Sequence, residues 1–239
     1  MKEHPEKIKN RKWTSVVMIV IAAALITWAA VSRGQHFFLI LPLYVSLFVG
    51  ILQTRASRYA YLLGGLNSIL YAVVYFSFSL YSSAVYAILV SCPVQLITFR
   101  RWSKHAYKKS TKFLSLRIKG WILLLTVFAA AAVGIHFLTL RSDSSYRFMD
   151  NWSTLNGTFT MTLSFLSYRE YSWFMLWGGI LNFILHVTML RDNPQQLTYL
   201  IYSVYSLICI LLQCISVHRL YHEQQNKGDK TNENALSQS

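Results

Sequence analysis

One uncharged stretch decides the fold: residues 59–99, which read YAYLLGGLNSILYAVVYFSFSLYSSAVYAILVSCPVQLITF. A transmembrane helix needs roughly 20 apolar residues to cross about 30 Å of hydrocarbon, so this stretch is long enough for two crossings. The polar residues near its middle, which predict the turn between the two helices, are Ser77, Ser79, Ser82 and Ser83. The stretch therefore predicts a helical hairpin embedded in a membrane.

Six further charge-free runs continue this pattern along the chain, and most of them are about one bilayer long. They show no alternation of polar and apolar residues, which a membrane β-barrel would require. With 59–99 they predict eight helices, in residues 14–32, 34–54, 59–99 (two helices), 120–140, 151–168, 171–190 and 193–218. Only 13% of the residues are charged, against about a quarter in soluble domains. We therefore predict an all-α integral membrane protein and exclude an ordinary soluble enzyme.

The basic residues test the helix count independently, because cytoplasmic loops carry an excess of Lys and Arg. With eight spans, nineteen of the 23 Lys and Arg residues fall on the side that also holds both termini. We therefore expect both termini in the cytoplasm and the protein in the cell membrane. This topology, together with anionic lipid headgroups as partners, accounts for the net charge of +14 without a nucleic acid.

The remaining segments have simpler interpretations. Residues 14–32 are longer than the apolar core of a signal peptide, so we expect a retained additional N-terminal helix. Cys92, Cys209 and Cys214 all fall inside predicted spans, where small apolar packing residues are expected rather than a disulfide or a metal site. The polar tail, residues 219–239, is expected to be disordered.

An internal repeat organises the spans. Gly64-Gly65 and Gly178-Gly179 occupy the same place in two matching segments 114 positions apart. Each segment lies in a unit of three helices, and the span at 120–140 between the units makes them parallel. Transporters built this way hold substrate near the membrane midplane, between the repeats. We expect the glycines to allow close, sliding helix contacts as one bundle rocks against the other.

The predicted domains follow from this plan. They are a basic N-terminus (1–13), an additional helix (14–32), the first three-helix bundle (34–99), a basic loop (100–119), a linker helix (120–140), the second bundle (148–218) and the tail (219–239).

The predicted spans contain uncharged hydrogen-bonding and aromatic side chains in place of charges. Asp150, at the edge of the sixth span, is the exception. Coupled carriers commonly use buried carboxylates, so a facilitator is favoured over a pump. The sequence contains no Walker A loop, no CxxC or HExxH spacing and no paired nucleophile and base, so we expect no enzyme, metal site or cofactor. Amides and aromatic rings suit a flat, hydroxylated, neutral or cationic solute, and a phosphorylated one would lack a basic partner.

Two sets of residues, one in each repeat, form a recognisable pattern. The first repeat has Asn67, Tyr71, Tyr75, Leu80-Tyr81, Pro93, Gln95 and Trp102, and the second has Phe148, Asp150, Arg169-Glu170, Trp173, Trp177 and Asn182. With these residues the chain resembles the PnuC family of bacterial vitamin transporters over about residues 42–219.

The resemblance implies two three-helix bundles joined by a linker helix. It also implies nicotinamide riboside import by facilitated diffusion, with a cytoplasmic kinase trapping the substrate. In the family, a Trp and an Asn four positions later contact the substrate, whereas Trp177 and Asn182 are five apart. The candidate substrate-binding residues are Asn67, Tyr71, Gln95, Trp173, Trp177, Asn182 and Tyr202.

Three alternatives remain open at this stage. Thiamine or another vitamin nucleoside could use the same scaffold. Pro93 with Gln95, and Pro194-Gln195, faintly resemble the proline-glutamine loops of sugar facilitators. A scaffold or sensor that only anchors the basic loop, residues 100–119, would not need the polar interior at all. The oligomeric state is also open, and a homo-oligomer is compatible with these spans.

Overall fold

The protein is almost entirely helical. A computed structural model describes the backbone of residues 5–140 and 145–236, and the side chains of 13–140 and 145–227. Its helices are α1 (Pro5–Ser32), α2 (Phe37–Thr54), α3 (Tyr59–Ser77), α4 (Tyr81–Tyr86), α5 (Cys92–Lys104), α6 (Ile118–Leu138), α7 (Arg147–Phe165), α8 (Tyr171–Asp192) and α9 (Leu197–Leu236). A π-helical turn at Ala87–Ser91 joins α4 to α5 in one continuous rod, and a 3-10 turn at Pro194–Gln196 leads into α9.

The predicted turn in residues 59–99 is confirmed. Helix α3 ends at Ser77 and α4 begins at Tyr81, and Ser79 between them adopts a left-handed backbone with φ of 56°. A short antiparallel hairpin, β1 (Ala106–Tyr107) and β2 (Ser110–Thr111), follows α5. The charge pattern predicts only a basic loop at residues 100–119, so this hairpin was not expected.

Seven of the eight rods are long and apolar enough to cross a membrane, within the described part of the chain. Seven of the eight predicted spans therefore meet this criterion, and the predicted sixth span, which corresponds to α7, does not. Helix α7 is long enough to cross a membrane, but its many polar residues lower its mean hydropathy. Several of these polar residues are buried against neighbouring helices. The buried polar residues of α7 are Asp150, Asn151, Asn156, Thr160 and Ser164.

Six rods form a closed ring. Around the ring α2 packs on α3, α3 on α5, α5 on α7, α7 on α8, α8 on α9, and α9 again on α2. Helix α1 packs outside, against α9 and α2, and α6 packs outside against α7. No residue of α6 is buried, so this apolar helix is left to face lipid.

One end of the ring carries most of the basic residues, and we call it the basic end. The β-hairpin crosses it, where the backbone N–H of Arg58 donates to the carbonyl of Lys109 at 3.1 Å. Leu114 pairs with Tyr168 in a parallel bridge ahead of α8. Segments that the sequence assigned to one side of the membrane therefore meet at one end of the ring.

The start of the predicted disordered tail is instead ordered, so this prediction is wrong there. Helix α9 continues to Leu236. The hairpin fixes its polar part, because the side chain of Gln224 accepts from the Phe113 N–H at 2.8 Å and donates to the Thr111 carbonyl at 3.0 Å. Lys108 forms an ion pair with Glu223 at 2.6 Å, and this hydrogen bond raises the pKa of Lys108. Polar tertiary contacts thus replace the apolar periodicity that the tail lacks.

Candidate substrate-binding site

A polar cavity of about 290 Å³ lies inside the six-helix ring. Every helix of the ring contributes to its wall. The described residues that line it include no Asp, Glu, Lys or Arg. Its polar and aromatic wall consists of Ser46, Gln53, Asn67, Ser68, Tyr71, Tyr75, Ser83, Tyr86, Ser91, Gln95, Ser153, Thr154, Asn156, Thr160, Asn182, His186, Tyr199, Tyr202, Ser203 and Ser206.

Five of the seven candidate residues meet in this cavity: Asn67, Tyr71, Gln95, Asn182 and Tyr202. Trp173 and Trp177 do not, because they lie on the outer face of α8 with 62% and 54% of their surface exposed. The inward face of α8 is set by residues 175, 178, 182 and 185, which recur every three to four positions. The two tryptophans fall between these positions and point to lipid.

Gln95 organises a hydroxyl network on one wall. Its Nε2 donates to Ser91 Oγ at 2.7 Å and to Ser68 Oγ at 3.1 Å, and the two serines lie 2.8 Å apart. A Cβ at position 64 would lie 2.2 Å from Gln95 Oε1. Gly64 therefore makes room for a polar side chain, a role beyond the helix packing expected from the sequence.

The second repeat uses its first glycine in the same way. Asn156 Nδ2 donates to the Phe174 carbonyl at 2.9 Å, and a Cβ at position 178 would lie 2.3 Å from that nitrogen. The second glycine of each pair does serve helix packing, since a Cβ at 65 would meet Leu96 at 3.2 Å and one at 179 would meet Leu207 at 2.9 Å. In each Gly-Gly pair, the first glycine therefore leaves room for an amide side chain and the second allows a neighbouring helix to pack closely.

We expect Gly178→Ala to lower the free energy of unfolding by about 1–2 kcal/mol, because the new methyl group forces Asn156 out of its hydrogen bond. The matched control is Gly134→Ala on α6, where a Cβ would meet nothing within 4 Å. Helix propensity makes that change neutral or stabilising by up to about 1 kcal/mol. Thermal melting of the two purified variants tests this, and equal melting temperatures would contradict it.

Two buried amide oxygens in the wall have no hydrogen-bond partner among the residues that the structure describes. Asn67 Nδ2 donates to the Pro42 carbonyl at 3.0 Å and to Ser46 Oγ at 2.8 Å, but its Oδ1 accepts nothing from the described residues. The Oδ1 of Asn156 is in the same state. A buried carbonyl without a donor is costly, so both oxygens suit a ligand that brings hydroxyl or N–H groups.

Aromatic side chains line the half of the cavity away from the basic end. Tyr71 and Tyr75 stack with ring centroids 5.5 Å apart. Across the cavity, the ring of His186 stacks on Tyr199 at 5.7 Å and 29°. The hydroxyl of Tyr199 donates to the Leu39 carbonyl, which fixes the ring. Stacked rings of this kind attract flat, cationic ligands.

Most of the polar residues in the wall were not among the candidates, and two of them, Asn156 and His186, could have been found from the sequence. Asn156 lies in the most polar predicted span, and its spacing from the buried Thr160 and Ser164 marks one face of α7. His186 follows Asn182 by four positions and so shares its face. Two other polar residues, both on α9, serve structure instead: Tyr205 donates to the Leu47 carbonyl at 2.6 Å, and Gln213 donates to the Tyr171 hydroxyl at 2.9 Å.

Aromatic residues pack together at the basic end of the six-helix ring. Trp102 contacts Tyr61, Phe113 and Tyr171 with ring centroids 4.7, 5.6 and 6.0 Å away. At the other end Tyr146 donates to Asp192 at 2.6 Å, and this hydrogen bond raises the pKa of the Tyr146 phenol to about 12. The carboxylate of Asp192 is thereby engaged at the surface and does not enter the cavity lining.

Comparison with known proteins identifies the family to which this chain belongs. The family model described as "Nicotinamide mononucleotide transporter" matches residues 36–214, three quarters of the chain. The chain belongs to this family. The matched range includes the six-helix ring as far as Cys214 and leaves α1 outside.

Two relatives agree with the family assignment. A curated "Nicotinamide riboside transporter PnuC" from Neisseria mucosa is 30% identical over 123 residues, which cover 46% of this chain and 44% of that protein. The chain therefore matches less than half the length of this relative. A solved structure entitled "Crystal structure of the Vitamin B3 transporter PnuC" superimposes with a TM-score of 0.76 over 88% of this chain and 92% of that one, at 19% identity. This likeness confirms the fold, and together with the family model and the curated relative it confirms the resemblance to PnuC transporters.

Proposed function

We propose that the protein carries nicotinamide riboside across the cell membrane by facilitated diffusion, with phosphorylation by a cytoplasmic kinase trapping the substrate. The observation that carries this proposal is the cavity inside the six-helix ring, whose wall combines stacked aromatic rings, amides and hydroxyls but no charged residue among those described. The name of the Neisseria mucosa relative supports the same substrate. In this proposal the basic end and both termini face the cytoplasm.

The cavity favours the nucleoside over the nucleotide that the family's name mentions. A nicotinamide riboside molecule presents a flat cationic ring, a carboxamide and ribose hydroxyls, which match the aromatic half and the free oxygens of Asn67 and Asn156. A phosphate group would bring two negative charges into a lining without Lys or Arg. The protein then acts as a carrier with no catalytic step.

We expect purified protein to bind nicotinamide riboside at least about 100-fold more tightly than nicotinamide mononucleotide, because the phosphate loses its hydration without a cationic partner. Isothermal titration with both ligands, and with thiamine, measures this. Thiamine is included because stacked tyrosines suit any flat cationic ring. Tighter binding of thiamine would assign the protein to a different vitamin, and tighter binding of the mononucleotide would contradict the proposal.

Uptake of labelled nicotinamide riboside separates transport from anchoring. In proteoliposomes without a kinase, a facilitator equilibrates the label across the bilayer and does not concentrate it, whether or not a proton or sodium gradient is imposed. Concentrative uptake that collapses with either gradient would instead show coupling.

The matched variants that separate transport from anchoring are Gln95→Leu, inside the cavity, and Gln224→Leu, at the basic end outside it. A scaffold would tolerate both changes equally.

A further inference from the structure

His186 is the one imidazole among the described residues that line the cavity. It lies on α8, one turn beyond Asn182, in the aromatic half of the cavity. One face of its ring stacks on Tyr199 with centroids 5.7 Å apart. The transport function proposed above gives this imidazole no role.

A buried amide oxygen lies against one nitrogen of the His186 ring. Nδ1 lies 2.9 Å from Oε1 of Gln196, a residue that is 0% exposed in the 3-10 turn before α9. An amide oxygen can only accept, so Nδ1 carries the hydrogen in this pair. In the neutral ring Nε2 then bears a lone pair. No described group hydrogen-bonds to Nε2, so it is left as an acceptor at the cavity wall.

The distribution of side chains indicates which part of a ligand this acceptor meets. Tyr71, Tyr75 and Tyr199 surround the same half of the cavity, whereas Gln95 and Asn156 lie nearer the basic end. A flat pyridinium ring belongs among the aromatic rings. Its carboxamide is held close to the ring plane, so the amide N–H groups stay in that half, and the ribose extends toward the amides.

We propose that His186 Nε2 accepts a hydrogen bond from the carboxamide N–H of the substrate and thereby selects nicotinamide over rings that lack an amide donor. Gln196 is a positioning residue that maintains the required tautomer. This inference rests on the proposed function and deepens it. It also assigns the orientation of the bound substrate. The nicotinamide points away from the basic end of the six-helix ring, and the ribose points toward Asn156 and Gln95.

The experiment compares two ligands on matched variants. The ligands are nicotinamide riboside and 3-acetylpyridine riboside, which keeps the cationic ring, the carbonyl and the ribose but replaces the amide NH₂ by a methyl group. His186→Phe keeps an aromatic ring against Tyr199 and removes the acceptor. The control is His136→Phe on α6, whose side chain does not line the cavity. Dissociation constants are measured by titration, and thermal melting checks that each variant is folded.

We expect the parent protein to prefer nicotinamide riboside over the acetyl analogue by about five- to tenfold, the usual effect of one hydrogen bond. His186→Phe should weaken nicotinamide riboside binding by about the same factor and the analogue by less than about twofold. Gln196→Leu should show the same ligand-selective loss, and His136→Phe should show none.

Equal weakening of both ligands by His186→Phe would make His186 a structural residue and overturn the inference. Equal binding of the two ligands by the parent protein, or an unchanged preference in His186→Phe, would overturn it as well. If the parent protein binds neither ligand, the proposed function fails, and with it the substrate on which this inference rests.

Discussion

Replacing Trp102 by alanine is expected to lower the free energy of unfolding by about 3 kcal/mol or more. At about 2–4 °C per kcal/mol, this corresponds to a drop in melting temperature of about 6–12 °C. Trp102 is 0% exposed, and its Nε1 donates to the Ser164 carbonyl at 2.9 Å. The alanine variant leaves a cavity among Tyr61, Phe113 and Tyr171 and removes a hydrogen bond between α5 and α7.

In a membrane, the hydrophobic effect contributes little to the stability that Trp102→Ala removes. Lipid tails are as apolar as a protein core, so burying an indole gains little transfer free energy in a bilayer. What remains is packing and the hydrogen bond, and both are concentrated at Trp102 because three aromatic rings surround it edge-on. Loss of this contact should also loosen the basic end of the six-helix ring.

Trp173→Ala is the matched control for Trp102→Ala. Trp173 is 62% exposed on the outer face of α8, so its removal should cost less than about 1 kcal/mol. Trp102→Phe should fall between the two, because it keeps most of the packing and loses the indole N–H. Melting curves in one detergent give all three values. Similar melting temperatures for Trp102→Ala and Trp173→Ala would contradict the structure at the basic end.

The positions of the helices could be predicted from the sequence because charge is expensive in lipid and marks the ends of spans. The run of residues 59–99 contained α3, its turn and most of the α4–α5 rod. The polar cavity residues Asn67, Gln95 and Asn182 could be predicted for the same reason, since amides avoid lipid and point into the protein. Polar side chains inside apolar spans are thus the buried residues that can be predicted most directly from the sequence.

The orientation of apolar and aromatic residues could not be predicted this way. In water an apolar face marks the core, but in a bilayer both the inner and the outer face of a helix can be apolar. Trp173 and Trp177 therefore looked like site residues although they point to lipid. The hairpin at Ala106–Thr111 and the ordered part of the tail depend on contacts between distant segments, such as Gln224 with Thr111, which no local pattern contains.

We expect Asp150→Ala to cost about 2–4 kcal/mol of unfolding free energy and to reduce transport strongly. The Asp150 carboxylate, 2% exposed on α7, accepts from the Ser82 N–H at 3.0 Å, the Ser83 N–H at 3.1 Å and the Ser83 hydroxyl. Helix α4 has no capping side chain of its own at its first residues. Asp150 therefore caps α4 from the other repeat, where a negative charge also interacts favourably with the helix dipole.

This cap links the two repeats beside the cavity, because Ser83 is itself part of the cavity wall. Asp150→Asn keeps one acceptor oxygen and the size of the side chain, so it should retain about half of the stabilisation and isolate the effect of the charge. The control is Asp192→Ala, which removes an exposed carboxylate bonded to Tyr146 and should cost less than about 1 kcal/mol. Melting temperature and nicotinamide riboside uptake are measured for all three variants. If Asp150→Ala melts like Asp192→Ala, the carboxylate does not hold the repeats together, and the predicted loss of transport has no structural basis.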